Sequence, residues 1–183
     1  MSDNSNDKSS LRRDGVIPDV IDSEPIHKIN LKYSSGVEVN YGTELKLSES
    51  KDVPQVDWPT ETGVYYTLMM IDPDAPFRSK PLLSPINHWT VMNIPGTDIS
   101  KGRTVCGYRG AGAPPLGGLH RYIFLVYKQS NGIIETNGTP VLNESFRTRI
   151  KFNIREWTKS NNLGEPVAVN YFQSQSQRSC IIL

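Results

Sequence analysis

Residues 65–71, Tyr-Tyr-Thr-Leu-Met-Met-Ile, run for the length of one β-strand without a charge. An apolar run of this length bounded by turn residues reads as a strand buried at the centre of a sheet. The chain must leave the core at its end. It does so through Asp72-Pro73-Asp74-Ala75-Pro76-Phe77-Arg78, so two carboxylates emerge together. Each proline fixes φ near −65° and removes a backbone donor, which makes this loop stiff where most strand ends are mobile. A rigid loop carrying two acids is suited to holding a ligand.

Two of the three histidines stand beside further strand-like runs, His88 ahead of Trp89–Ile94 and His120 ahead of Tyr122–Lys128. His27 reads as a surface residue. If these strands neighbour the run 65–71, then Asp72, Asp74, His88 and His120 meet at one rim of a sheet. Gly110-Ala111-Gly112 lies in a Gly/Pro-rich connection over residues 102–118, and a long structureless connection inside a compact domain is usually functional. Glycines let successive N–H groups point into one concavity that suits an oxyanion. With two imidazoles as donors at a solvent-accessible rim, the set reads as a phosphate pocket. One carboxylate is expected to orient a histidine by accepting its ring N–H. The other is expected to meet a cationic headgroup, since ethanolamine phosphate carries both signs. Arg78 and Arg121 are expected to pair with carboxylates inside the fold.

The chain has 183 residues, 37% hydrophobic and 21% charged, enough for one sizeable core and one domain. A net charge of +1 supplies no basic field, so nucleic acid is not an expected partner. Cys106 and Cys180 lack paired spacing, which suits a reducing compartment. No apolar run approaches the roughly 18 residues of a membrane span. A cytoplasmic monomer is the expectation.

Residues 1–13 are rich in Ser, Asn, Asp and Lys and read as a disordered N-terminal tail. A domain over 14–173 and a C-terminal tail over 174–183 complete the chain. Alternating residues over 26–41 predict a hairpin turned at Ser34-Ser35-Gly36, with Leu45 and Leu47 continuing the sheet. The stretch 80–86, with two more prolines, reads as an irregular rim. Asn153, three residues before Glu156, predicts a helix start, and Gly164 and Pro166 stop that helix. Val167, Val169 and Tyr171 then alternate as a last strand. Six or more short strands with one or two late short helices indicate a mostly β antiparallel sandwich.

Asp-Pro-Asp-Ala-Pro-Phe-Arg (72–78), Asn-His-Trp (87–89), Gly-Ala-Gly-Ala-Pro-Pro (110–115) and Gly-Leu-His-Arg-Tyr (118–122), in this order, resemble the phosphatidylethanolamine-binding protein family. Residues 17–22 and 163–168 match it too, so the similarity spans about residues 15–173. The resemblance implies a Greek-key β-sandwich with a small anion pocket that binds phospholipid headgroups or other phosphorylated small molecules without catalysis. It also implies regulation of signalling through a protein partner, a protein kinase (Raf kinase inhibitor-like) or a serine protease. The pocket residues it implies are Asp72, Asp74, His88, Gly112, His120 and Tyr122, with Pro76 in the wall and Ala75–Pro76 in the cis form. Leu83 stands where animal members often place a pocket-rim tyrosine, and Gln173–Leu183 replace their C-terminal helix.

A second reading is an enzyme in which Asp72, Asp74, His88 and His120 hold a divalent metal that hydrolyses a phosphoester. Neither Asp-x-Asp nor scattered histidines make a strong metal signature, and no Ser or Cys is paired with a base. No metal or cofactor is therefore expected. A third reading is an interaction scaffold with a vestigial pocket. Separately, Cys180-Ile-Ile-Leu183 fits the C-a-a-X pattern with Leu favouring geranylgeranyl. Cys180 is thus a candidate lipidation site for peripheral membrane association, although one chain seldom anchors stably alone.

Overall fold

The computed structural model describes residues 7–135 and 145–176. Its strands, in chain order, are β1 (His27–Lys28), β2 (Asn30–Lys32), β3 (Glu38–Val39), β4 (Thr43–Glu44), β5 (Gln55–Asp57), β6 (Tyr65–Asp72), β7 (Ile86–Pro95), β8 (Arg103–Cys106), β9 (His120–Gln129) and β10 (Ala168–Ser174). A large sheet runs β1-β10-β9-β6-β7-β8, with β4 also paired to β10, and a small sheet runs β3-β2-β5. The long central pairs are antiparallel. Only β1 and β4, among the described strands, lie parallel to a neighbour, in both cases β10.

The run 65–71 is uncharged because both of its faces are covered. Successive side chains point to opposite faces of a strand. Tyr66, Leu68 and Met70 of β6, with Tyr122, Phe124 and Val126 of β9, pack in one core with Leu31, Val39 and Trp58. On the other face Met69 and Ile71 join Ile123, Leu125 and Tyr127. That second core is completed by Leu11, Val16, Ile17, Val20 and Ile21 from the N-terminal segment and by Ile154 and Leu163. The mostly β sandwich is as expected, with an added apolar layer on its back.

That layer corrects the expected disordered tail over residues 1–13. Ser10–Arg13 is helical and Leu11 is fully buried, so one leucine seated in the second core anchors an otherwise polar segment; residues 1–6 lie outside those described. The hairpin is also shorter than 26–41. β2 and β3 pair across the turn, but His27 and Lys28 pair with Ala168 and Val169 of the other sheet, the chain crossing over at the buried Ile29. Leu45 does continue the large sheet, donating its N–H to the Gln173 carbonyl, whereas Leu47 opens a short 3₁₀ helix, Leu47–Ser50. Part of the connection 102–118 is not loop: β8 extends the large sheet beyond β7. The helix Ile154–Ser160 starts where predicted, the Asn153 side chain accepting from the Glu156 N–H. Cys180 lies outside the described residues.

Candidate functional site

Strand parity assembles most of the site. Asp72 ends β6 on the parity of Leu68 and Met70, and His120 and Tyr122 open β9 on the parity of Phe124. Asp72 Oδ2 accepts a hydrogen bond from His120 Nδ1 at 2.9 Å. The Tyr122 ring stacks on Phe172 at 4.9 Å between centroids and lies nearly parallel to His120 at 6.4 Å. His88 arrives differently. Met70 pairs with Trp89 and Ile71 with Asn87, so His88 is the extra residue of a β-bulge. A bulge re-aims a side chain, and the His88 ring meets Tyr122 edge-on at 5.3 Å.

Two loops complete the arrangement. The His88 carbonyl accepts from the Arg109 N–H at 2.8 Å, and its ring Nδ1 donates to the Arg109 carbonyl at 2.9 Å. The Gly112 N–H donates to the Tyr122 hydroxyl at 3.2 Å. Ser50 braces this loop, its Oγ accepting from the Ala111 N–H and its carbonyl from the Tyr108 hydroxyl. A Cβ on Gly110 would lie 2.4 Å from the Ser50 carbonyl oxygen. Gly110→Ala should therefore push the loop off its brace and cost about 1–3 kcal/mol, read as a lowered denaturation midpoint. An unchanged midpoint would show that the brace is loose. In the other loop Ala75–Pro76 is cis, and the Pro76 carbonyl accepts from His120 Nε2 at 3.2 Å.

Asp74 does not join this set. Its oxygens accept from Arg121 Nη2 at 2.7 Å, from Arg121 Nε at 2.9 Å and from the Arg121 backbone N–H at 2.8 Å. Arg121 also reaches Asp19 Oδ2 at 2.8 Å and the Asp14 carbonyl at 2.9 Å. The expected meeting of Asp74 with a cationic headgroup is thus corrected. Arg121, between His120 and Tyr122, must point to the opposite face of β9, and there it occupies the acid. Arg78 likewise donates to the Asp14 main-chain carbonyl, and among the described residues no carboxylate pairs with it. Among the described residues no group of three or more His, Cys, Asp or Glu side chains is placed to hold a metal ion.

The site is closed. Asp72 is 2% exposed, His88 4%, and His120 and Tyr122 0%; Pro76 is half-buried and Gly112 exposed. His120 is therefore not the donor at an open rim that was expected. Its two nitrogens face a carboxylate and a carbonyl, which only accept, a setting that both N–H groups of an imidazolium satisfy and that favours the charged ring. Burial works to lower its pKa, but the hydrogen bond and charge of Asp72, helped by Asp74 and the Pro76 carbonyl, outweigh burial and hold it above the ordinary 6.5. His88 goes the other way. Burial lowers its pKa despite the Arg109 carbonyl and Asp72, and the positive Arg149 and Arg109 lower it further. Burial and then the charge of Asp72 push the Tyr122 phenol up, so it keeps its proton.

The two histidines give opposite pH dependence. A raised folded pKa contributes stability that is complete below the unfolded value near 6.5 and fades as pH rises through the folded value. A lowered one costs stability as pH falls below 6.5. The stability difference between wild type and His120→Gln should therefore be greatest near pH 6 and shrink in alkali. Chemical denaturation across pH checks this; a difference that grows with pH would contradict the imidazolium.

Arg149 is the residue sequence reasoning missed. It is 3% exposed, and Nη1 donates to the carbonyls of Asn87, His88 and Gly107 at 3.3, 3.2 and 2.8 Å. Its Nε is buried and has no hydrogen-bond partner among the described residues. Among the described residues no carboxylate pairs with it. It comes just after the 3₁₀ turn Phe146–Thr148, where no motif or periodicity marks it.

A family model described as phosphatidylethanolamine-binding protein matches residues 22–172. CEN-like protein 1 of Nicotiana tabacum is 39% identical over 165 residues, 88% of this chain and 89% of the relative. Putative odorant-binding protein A5 of Drosophila melanogaster is 34% identical over 161 residues, 87% of this chain and 76% of the relative. The solved phosphatidylethanolamine-binding protein from Plasmodium vivax superimposes with a TM-score of 0.77 at 28% identity, covering 92% of this chain and 97% of that one.

Proposed function

The chain belongs to the phosphatidylethanolamine-binding protein family, and from that premise we propose that its site binds phosphorylated small molecules, phospholipid headgroups among them, without turning them over. The observation that carries this reading is the placement of Tyr122. Its hydroxyl accepts from the Gly112 N–H and keeps its own proton, so it can donate to an oxyanion beside the bulged His88. The positive field comes from Arg149 and Arg109, because Asp72 and His120 neutralise one another. Hydrolysis would need a base or a nucleophile. Asp72 and both nitrogens of His120 are committed to internal bonds and Asp74 to Arg121, so of the four side chains of the hydrolase reading only His88 keeps an uncommitted nitrogen.

Calorimetry with O-phosphorylethanolamine, with and without zinc, tests the reading. Saturable binding that a chelator leaves unchanged supports it. Metal-dependent binding with release of inorganic phosphate would replace it by the hydrolase, and no binding at all would leave a scaffold. The same proposal includes regulation by competition between a bound phosphate ester and a protein partner, a kinase or serine protease. It places the chain in the cytoplasm, tethered by a geranylgeranyl group on Cys180. Mass spectrometry finding an unmodified, full-length C-terminus would remove the tether.

A further inference from the structure

We infer that the site selects a phosphate monoester in its singly charged form, because His88 Nε2 is a hydrogen-bond acceptor that reads a proton on the ligand. This rests on the anion-binding reading above and narrows its ligand. The Arg109 carbonyl can only accept, so the 2.9 Å bond places the ring proton of His88 on Nδ1. In the neutral ring, Nε2 then offers a lone pair and no proton. That atom is buried and, among the described residues, has no hydrogen-bond partner, and a buried polar atom left unpaired is uncommon.

The charges around His88 keep it neutral. From β6 it faces Asp72, whose charge is taken by His120 of β9. Tyr122 of β9 is a protonated phenol. β8 contributes Cys106, whose thiol burial keeps protonated. The connection after β8 contributes Arg109, and the turn before the helix Ile154–Ser160 contributes Arg149, both positive. A second proton on His88 would put a third cation beside these two arginines, with Asp72 already paired.

The hydrogen-bond count then points to one kind of ligand. Arg149 and Arg109 are both positive toward His88, so the charges favour an anion and the hydrogen bonds decide which protonation form of it fits. The Tyr122 hydroxyl donates to an ionised oxygen, and Nε2 accepts from a P–OH. A monoester monoanion has both groups. A monoester dianion would set an ionised oxygen against the Nε2 lone pair. A diester has the single charge but no P–OH, so Nε2 stays unpaired.

Calorimetry with methyl phosphate and dimethyl phosphate at about pH 6, 7 and 8 separates these cases, because titration of protein groups affects both probes and cancels in the ratio of affinities. The ratio of methyl to dimethyl phosphate affinity should fall about tenfold per pH unit above the monoester's second pKa of about 6. His88→Asn keeps a donor for the Arg109 carbonyl and removes Nε2, so it should flatten that dependence. A long-range ¹H–¹⁵N spectrum of the wild type supplies a readout independent of any variant: Nε2 should be the unprotonated nitrogen and should shift when methyl phosphate is added. Equal, pH-independent binding of the two esters, or a protonated Nε2, would overturn the inference and leave the anion site standing. Failure of both esters to bind would overturn the anion site itself.

Discussion

Asp74→Ala is expected to lower the unfolding free energy by about 3–5 kcal/mol, the usual cost of leaving one member of a buried ion pair without the other. Asp74 is 1% exposed and Arg121 3%. Three hydrogen bonds join them, two from the guanidinium and one from the main chain. The remaining anionic partner, Asp19, has a half-exposed side chain, where screening leaves an ion pair worth little. Arg121 also ties the N-terminal segment down through the Asp14 carbonyl, so the second core loosens with it. In a chain of this length each kcal/mol shifts the melting temperature by about 2–4 °C, which predicts a fall of about 6–20 °C. Asp74→Asn should lie between wild type and alanine, since an amide still accepts but carries no charge. A change below about 1 kcal/mol in denaturant titrations would mean that the pair is solvated in solution.

Tyr122→Phe should have its largest effect on binding. The ring keeps its stack on Phe172, and Gly112, at an exposed position, can give its N–H to water. The donor to the ligand disappears. A hydrogen bond to a charged group is worth about 1.5–3 kcal/mol, so affinity for O-phosphorylethanolamine should fall roughly 10- to 150-fold, with stability lowered by only about 1 kcal/mol. Unchanged affinity in the folded variant would place the anion elsewhere.

The parts of this structure that could be read in advance are those governed by local rules. The uncharged run 65–71 became the central strand because no charged side chain interrupts it, its one threonine being satisfied by Gln129, and Asn153 capped its helix because the cap needs only Glu156 three residues on. The meeting of Asp72 and His120 came from two strand ends sharing a rim, whereas His88 joins them through the bulge in β7. The parts that could not be read depend on contacts between distant segments. Leu11 lies in a stretch that composition alone marks as disordered, and only the back of the large sheet gives it somewhere to go. Asp74 and Asp72 look equivalent in sequence, yet Arg121 takes one and His120 the other, since neighbouring residues of β9 face opposite ways. Arg149 has no signal at all, because its partners are main-chain carbonyls.

That alternation also explains the protonation pattern. The acid on the sandwich face has a histidine as partner, and the pair is locked and internally neutral. The acid on the back face has an arginine and serves stability. On the proposed reading, ligand recognition falls to Tyr122 and the bulged His88, with the charges of Arg149 and Arg109 behind them.

The most direct test is a crystal structure with O-phosphorylethanolamine bound. The phosphate should lie within hydrogen-bond reach of both the Tyr122 hydroxyl and His88 Nε2, with the Asp72–His120 pair intact. A phosphate bound away from these two side chains, or a cleaved ester in their place, would contradict the assignment of this site as a receptor.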